Sequence, residues 1–87
     1  MGERFRHRDY DTEAEAEEVL SAFSCLTVEN YRSNRGTPWD TMITWCNSTE
    51  APGQWEVQTE IMMDMGQTMY WLFSDPNTAF EFKMRFL

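Results

Sequence analysis

The chain has 87 residues, of which 41% are hydrophobic and 15% are aromatic, and its formal net charge is −8 at pH 7. This length suits a single small domain, residues 1–87, whose core is marginal unless large side chains fill it. Seven Lys and Arg residues stand against fifteen Asp and Glu residues, so the clustered basic charge that binds nucleic acid or an anionic membrane surface is missing. Direct binding to either is therefore not expected.

The sequence also limits location and cofactors. No apolar run approaches the roughly 18 residues of a membrane span, and the first ten residues, MGERFRHRDY, have no apolar signal core. We therefore expect a soluble, cytoplasmic protein. Cys25 and Cys46 stand among apolar neighbours and are expected to be buried free thiols. With one histidine, His7, and no CxxC pair, no metal site and no cofactor are predicted.

The first two elements are predicted as a strand and a helix. Residues 3–10 favour a short edge strand, because charged side chains on most positions discourage further pairing. Residues 11–26 are typical of a helix, since Thr12 and Glu15 form a capping box at its start. Its apolar face is expected to comprise Ala16, Val19, Leu20 and Phe23. Its solvated acidic face includes Glu13, Glu17 and Glu18.

The middle of the chain alternates turn and strand signals. Residues 27–38 predict a loop from their Asn, Ser, Gly and Pro content, although LTVENY leaves a short strand open. Residues 38–46, PWDTMITWC, have the density of Thr, Ile and Trp that favours a strand. From Trp55 to Asp64 apolar and polar residues alternate, which predicts a strand that returns through a hairpin into QTMYWLF.

The C-terminal segment carries two conflicting periods. Ala79, Phe82 and Phe86 share one helical face, whereas every second residue from Phe80 to Phe86 is apolar, as in a strand. Asp75 followed by Pro76 is a helix start, so we favour the helix. The predicted fold class is α+β, an antiparallel three- to four-stranded sheet with two helices packed on one face, in the order β-α-β-β-β-α.

One face of that sheet is expected to stay open and to form an interaction patch. Its residues would be Met42, Met62, Tyr70 and Leu72, rimmed by Glu56 and Glu60. The opposing interpretation is that another segment folds over this side and buries it. An acidic rim favours a basic protein partner, and a homodimer interface is a further expectation for the same surface.

No catalytic constellation emerges from the sequence. In a strand His7 and Asp9 share a face while Tyr10 points away, and no nucleophile follows. Glu56 and Glu60 would lie roughly 13 Å apart along one strand, which is too far for a carboxylate pair acting on one glycosidic bond. We therefore predict that the chain is not an enzyme.

The C-terminal run YWLFSDPNTAFEFKMRF leads an aromatic strand through Asp-Pro into a helix with Ala-x-x-Phe-Lys-x-Arg and a final aromatic residue. This run, about a fifth of the chain, resembles the ends of small uncharacterised accessory proteins of tailed bacteriophages. The resemblance implies a virus-encoded accessory protein in the cytoplasm of a bacterial host, with no family activity to transfer. The matching positions are Asp75, Pro76, Ala79, Phe82, Lys83, Arg85 and Phe86.

Together these features predict a small acidic, non-catalytic protein-interaction module that binds and modulates a host or viral protein. Two alternatives stay open. One is a mimic of nucleic acid that blocks a basic groove on a DNA- or RNA-binding enzyme through Glu13, Glu17 and Glu18. The other is a structural subunit that acts as a homo-oligomer.

Overall fold

The computed structural model describes residues 2–31, 39–61, 63 and 66–87. They form an α+β fold. In chain order its elements are β1 (Gly2–Arg4), a 3-10 turn (His7–Asp9), α1 (Glu13–Ser21), β2 (Ser24–Tyr31), α2 (Trp39–Cys46), β3 (Gly53–Ile61), β4 (Gln67–Phe73) and α3 (Pro76–Phe86).

The four strands form one mixed sheet in the order β1-β3-β4-β2. β1 runs parallel to β3, while β4 is antiparallel to both of its neighbours. The strand count agrees with the sequence prediction, but the fully antiparallel sheet is wrong. A parallel neighbour arises because the chain crosses from β1 at one edge to β2 at the other, through α1, before β3 returns beside β1.

The β3–β4 hairpin follows the predicted alternation. Trp55 pairs with Phe73, and Val57 pairs with Trp71, so these large side chains line one face of the sheet. The same face continues toward Ile61, which is 77% exposed. The helices therefore cover only the first part of this face.

α2 occupies the segment for which a strand was predicted. Trp39, Met42, Ile43 and Cys46 follow one another at helical spacing and pack against the main core. Burial of this face overrides the strand propensity of Thr, Ile and Trp. The segment predicted as the second strand is thus an additional helix, beyond the two that the sequence predicted.

The first predicted strand and the first predicted helix are shorter in the structure. Of residues 3–10, β1 includes only Glu3 and Arg4, and residues 7–9 form the 3-10 turn. Of residues 11–26, α1 ends at Ser21, and residues 24–26 belong to β2. Thr12 caps α1 by accepting a hydrogen bond from the Glu15 amide at 3.2 Å, and Asp75 caps α3 by accepting one from the Asn77 amide at 2.9 Å. β2 shows that the strand left open in LTVENY is correct and that the loop prediction is wrong for residues 27–31. Residues 32–38 of that loop lie outside the described residues.

Two apolar clusters hold the fold. The larger one lies between the sheet and the helices α2 and α3 and contains Met42, Trp45, Cys46, Ala51, Trp55, Val57, Met69, Trp71, Phe73, Ala79 and Phe82. The smaller one joins Phe5 to Ala16 and Leu20 of α1. The apolar face predicted for α1 packs on Phe5 as a separate cluster, which Phe23 joins from beyond the end of the helix. The two predicted helices therefore do not share one core, contrary to the expectation that they would pack together.

Candidate functional site

The face of the sheet opposite the main core, here called the open face, has a small apolar centre with polar borders. Because side chains alternate along β4, Tyr70 and Leu72 point away from Trp71. Both are half-buried. Tyr70 pairs with Thr27 on β2 and with Gln58 on β3, and both of these neighbours are exposed.

The predicted patch residues divide into three groups. Tyr70, Leu72, Glu56 and Glu60 belong to the open face, since Glu56 pairs with Leu72 and Glu60 pairs with Thr68. Met42 does not: it lies in α2, only 2% exposed, within the main core. Its misplacement follows from the wrong strand prediction for this segment. Met62 lies outside the described residues.

Glu56 is a buried carboxylate, 5% exposed, at one end of the open face. Its Oε1 accepts hydrogen bonds from Nε and Nη2 of Arg4, at 3.0 and 2.8 Å, and from the Val57 amide at 2.9 Å. Its Oε2 lies 3.0 Å from Nε2 of His7. Glu56 therefore binds the N-terminal segment to β3, and it is not an exposed rim residue as predicted.

The His7 ring is held between two carboxylates. Nε2 faces Glu56, and Nδ1 lies 3.6 Å from Oε2 of Glu13. The ring also packs edge-on against Phe5, with centroids 5.0 Å apart. Both ring nitrogens thus face acidic side chains of the protein itself, an arrangement that suits a structural role better than proton transfer to a substrate.

The acidic side chains predicted on α1 are at the surface. Glu13, Glu17 and Glu18 are all exposed. Glu13 is the one nearest to His7, and Arg8 is also exposed in the 3-10 turn that precedes the helix. The three carboxylates are therefore accessible to a partner.

A groove of about 480 Å³ lies between α2 and α3. Among its lining residues Arg85 is basic and Asp40 and Glu50 are acidic. The Arg85 guanidinium lies 5.6 Å from the centroid of the Trp45 ring and 3.8 Å from Glu50. The size is in the range of small-ligand sites. Ser48 Oγ donates a hydrogen bond to the Trp45 carbonyl oxygen at 2.6 Å, whereas Trp45 Nε1 is buried without a hydrogen-bond partner. This mixture of paired groups and one unpaired indole nitrogen does not define one class of ligand. The groove is lined by Asp40, Thr41, Thr44, Trp45, Ser48, Glu50, Arg85 and Phe86.

A third surface was not predicted from the sequence. Phe80, Met84 and Leu87 are 61%, 69% and 54% exposed, and their i, i+4, i+7 spacing sets them along one side of α3. We call them the apolar stripe. The signal that reveals it is the conflict of periods in the C-terminal segment, which arises because α3 is apolar on two sides.

The two thiols differ in environment. Both are free, but Cys25 is exposed on β2 and Cys46 is buried in α2, so the prediction of burial is confirmed for Cys46 and wrong for Cys25. Burial raises the pKa of the Cys46 thiol to about 12. Cys25 lies beside Leu72 on the open face.

Across residues 2–31, 39–61, 63 and 66–87, no group of three or more His, Cys, Asp or Glu side chains is placed to hold a metal ion. Within the same part of the chain, no helix has the length and hydropathy to cross a membrane. Comparison with protein-family models, with curated proteins and with solved structures finds no match for this chain. The resemblance of the C-terminal run to phage accessory proteins therefore stays a prediction.

Proposed function

We propose that the chain is a small, non-catalytic protein-interaction module that binds a protein partner through its open face. The observation that supports this proposal best is the pair Tyr70 and Leu72, which are half-buried on the interior strand β4 between polar borders. A small apolar centre within a polar rim is the usual anatomy of a transient protein interface.

The charge around the open face indicates what class of partner would bind there. Glu29 and Glu60 are exposed acids on the strands that flank β4, and the chain as a whole carries −8. A partner with basic side chains around an apolar contact would complement this surface and would be steered toward it. As part of the same proposal, the C-terminal resemblance makes the partner a host or viral protein in the cytoplasm of a bacterium.

The experiment compares two surfaces in one chain. The open-face variant, Tyr70→Thr/Leu72→Thr, keeps strand propensity while it removes the apolar centre. Its matched control, Phe80→Gln/Met84→Gln, removes apolar surface from α3 and keeps helix propensity. A partner isolated from bacterial lysate with the wild-type chain is purified, and its dissociation constant is measured for all three proteins by calorimetry.

We expect the open-face variant to bind at least about tenfold more weakly, because loss of two central contacts costs more than about 1.4 kcal/mol. The control should bind as the wild type does. Equal affinity for wild type and open-face variant would refute the open face as the site. Circular dichroism of both variants checks that a loss of binding does not come from a loss of folding.

Mimicry of nucleic acid is the second candidate, and the exposed carboxylates of α1 are the observation that favours it. Its test is Glu13→Gln/Glu17→Gln/Glu18→Gln, measured on the same partner at low and at moderate salt. Binding that is lost in this variant, and that collapses as salt rises, would assign the interface to α1. Binding through the open face should persist in this variant, and it should weaken less as salt rises because the centre of the contact is apolar.

A further inference from the structure

We propose that the apolar stripe of α3 is a self-association surface, through which two copies of this chain pair side by side. The stripe is separate from the open face, so this inference does not depend on the partner proposed there. It accounts for exposed side chains, Phe80, Met84 and Leu87, that the domain leaves in water.

The stripe lies opposite the face that α3 buries. Ala79 and Phe82 are 4% and 0% exposed in the main core, and at 3.6 residues per turn they project away from the side that carries Phe80 and Met84. Helices with apolar side chains on two opposite sides are usually covered by other protein segments on both sides. Phe80, Met84 and Leu87 are spaced by four and then three residues, which is the spacing of apolar residues along the interface of a two-helix coiled coil.

Charge favours a second copy as the occupant. Glu81 and Lys83 are exposed and border the stripe on opposite sides. A two-fold axis parallel to α3 places the Lys83 side of each copy against the Glu81 side of the other, so the stripe complements itself. A purely acidic or purely basic partner would match only one border.

The region around the stripe is also where two acidic chains repel least. α1 exposes several carboxylates and no basic residue, whereas the last turn of α3 carries Lys83 and Arg85. Like charges on two facing surfaces disfavour their association. Pairing through α3 therefore brings together the least acidic helical surface of the described chain.

The contact area indicates a weak dimer. The exposed parts of the three side chains offer roughly 300 Å² per copy, comparable to a large apolar patch on a monomer. A stable interface buries about 800 Å² per partner. Self-association should therefore depend on concentration and be incomplete in dilute solution.

Sedimentation equilibrium tests this. For the wild-type chain, the weight-average mass should rise from the monomer value of 10.4 kDa toward twice that value between about 10 µM and 1 mM, the range of weak association. The measurement is made at about 0.15 M salt, which limits the repulsion between two acidic chains to a range of about 8 Å. Phe80→Gln/Met84→Gln should stay monomeric throughout, whereas the matched control, Tyr70→Thr/Leu72→Thr, should pair as the wild type does.

A charge exchange tests the side-by-side arrangement. Glu81→Lys alone should weaken pairing about fivefold, because a basic side chain then faces Lys83 of the other copy. The double variant Glu81→Lys/Lys83→Glu should restore it to within about twofold. Failure of this rescue would overturn the side-by-side arrangement.

Three outcomes overturn the proposal of self-association through the stripe. The first is a wild-type chain that stays monomeric at about 1 mM. The second is pairing that persists unchanged in Phe80→Gln/Met84→Gln. The third is a monomeric chain whose binding to a purified partner is lost in that variant, which would assign the stripe to a different protein.

Discussion

Arg4 donates two hydrogen bonds, from Nε and Nη2, to a single carboxylate oxygen of Glu56. Oε1 also accepts from the Val57 amide, at the point where β1 has ended beside β3. Glu56 thus replaces the next residue of the parallel strand as the acceptor for that amide. A strand of three residues is weak alone, and this contact explains how β1 is retained at the edge of the sheet.

Removing the Glu56 carboxylate should destabilise the fold. Glu56→Ala leaves the Val57 amide without its acceptor and Arg4 without its partner, so we expect the free energy of unfolding to fall by about 2 kcal/mol. Glu56→Gln keeps one oxygen acceptor and should cost about half as much. Urea denaturation measures both. Glu60→Ala, an exposed site on the same strand, is the control, and equal losses at Glu56 and Glu60 would contradict the role assigned to Glu56.

Gly2 lies where no side chain fits. A Cβ at this position would overlap the carbonyl oxygen of Cys46 and would lie 2.6 Å from that of Ala51. Gly2→Ala should therefore push β1 off β3 and lower the free energy of unfolding by about 2 kcal/mol, as overpacking of a fixed backbone does. Thermal denaturation measures the loss. Glu3→Ala, an exposed position in the same strand, should change the midpoint little, and a Gly2→Ala protein as stable as that control would be evidence against the close contact.

The two thiols should react at very different rates. Cys25 is exposed and Cys46 is buried, so a disulfide reagent at about pH 8 should modify one thiol per folded chain and two in denaturant. Cys25→Ser should abolish the fast reaction, whereas Cys46→Ala should preserve it. Rapid modification of two thiols in the folded wild type would show that Cys46 is accessible and would contradict its burial.

Stability should fall at high pH through Cys46. In the fold, the pKa of this thiol is raised from 9.0 to about 12 by burial, so between these pH values the unfolded chain loses its proton while the folded chain keeps it. The stabilising effect is complete below pH 9 and is lost as the pH rises toward 12. Urea midpoints of wild type and Cys46→Ala should therefore converge across this window. Parallel curves would contradict the shift, because every other titrating group is common to both proteins.

Sequence reasoning succeeded where a structural signal lies among residues close together in the chain. It failed where the structure depends on contacts between residues far apart in the chain. The Thr12 and Asp75 caps and the alternation from Trp55 to Ile61 depend on neighbours in the chain, and each predicted the type of its element correctly, although α1 ends earlier than expected, at Ser21. The strand β1 depends on pairing between Gly2 and Gly53, residues far apart in sequence, and its parallel direction has no local signal. α2 was missed because its residues favour strands locally, and only packing around Met42 and Cys46 decides for a helix.

The candidate surfaces show the same limit. Tyr70 and Leu72 share the open face because strand alternation is reliable over a short distance. The strand prediction around Met42 placed that residue on the wrong side of the sheet. The apolar stripe was present in the sequence as a second period, but which apolar residues of α3 face water depends on where the sheet lies against the helix.

Phe80 and Phe82 provide the sharpest test of that orientation. In a strand the two side chains would share a face and both would be costly to remove, whereas in α3 only Phe82 is buried. Its ring centroid lies 4.8 Å from that of Trp71 and 5.1 Å from that of Phe73. Phe82→Ala should therefore cost about 4 kcal/mol, a large share of the stability of so small a domain. Phe80→Ala should change the free energy of unfolding by less than about 0.5 kcal/mol. Urea denaturation at low protein concentration, where pairing through the stripe is absent, compares the two, and comparable losses would contradict the helix and its orientation.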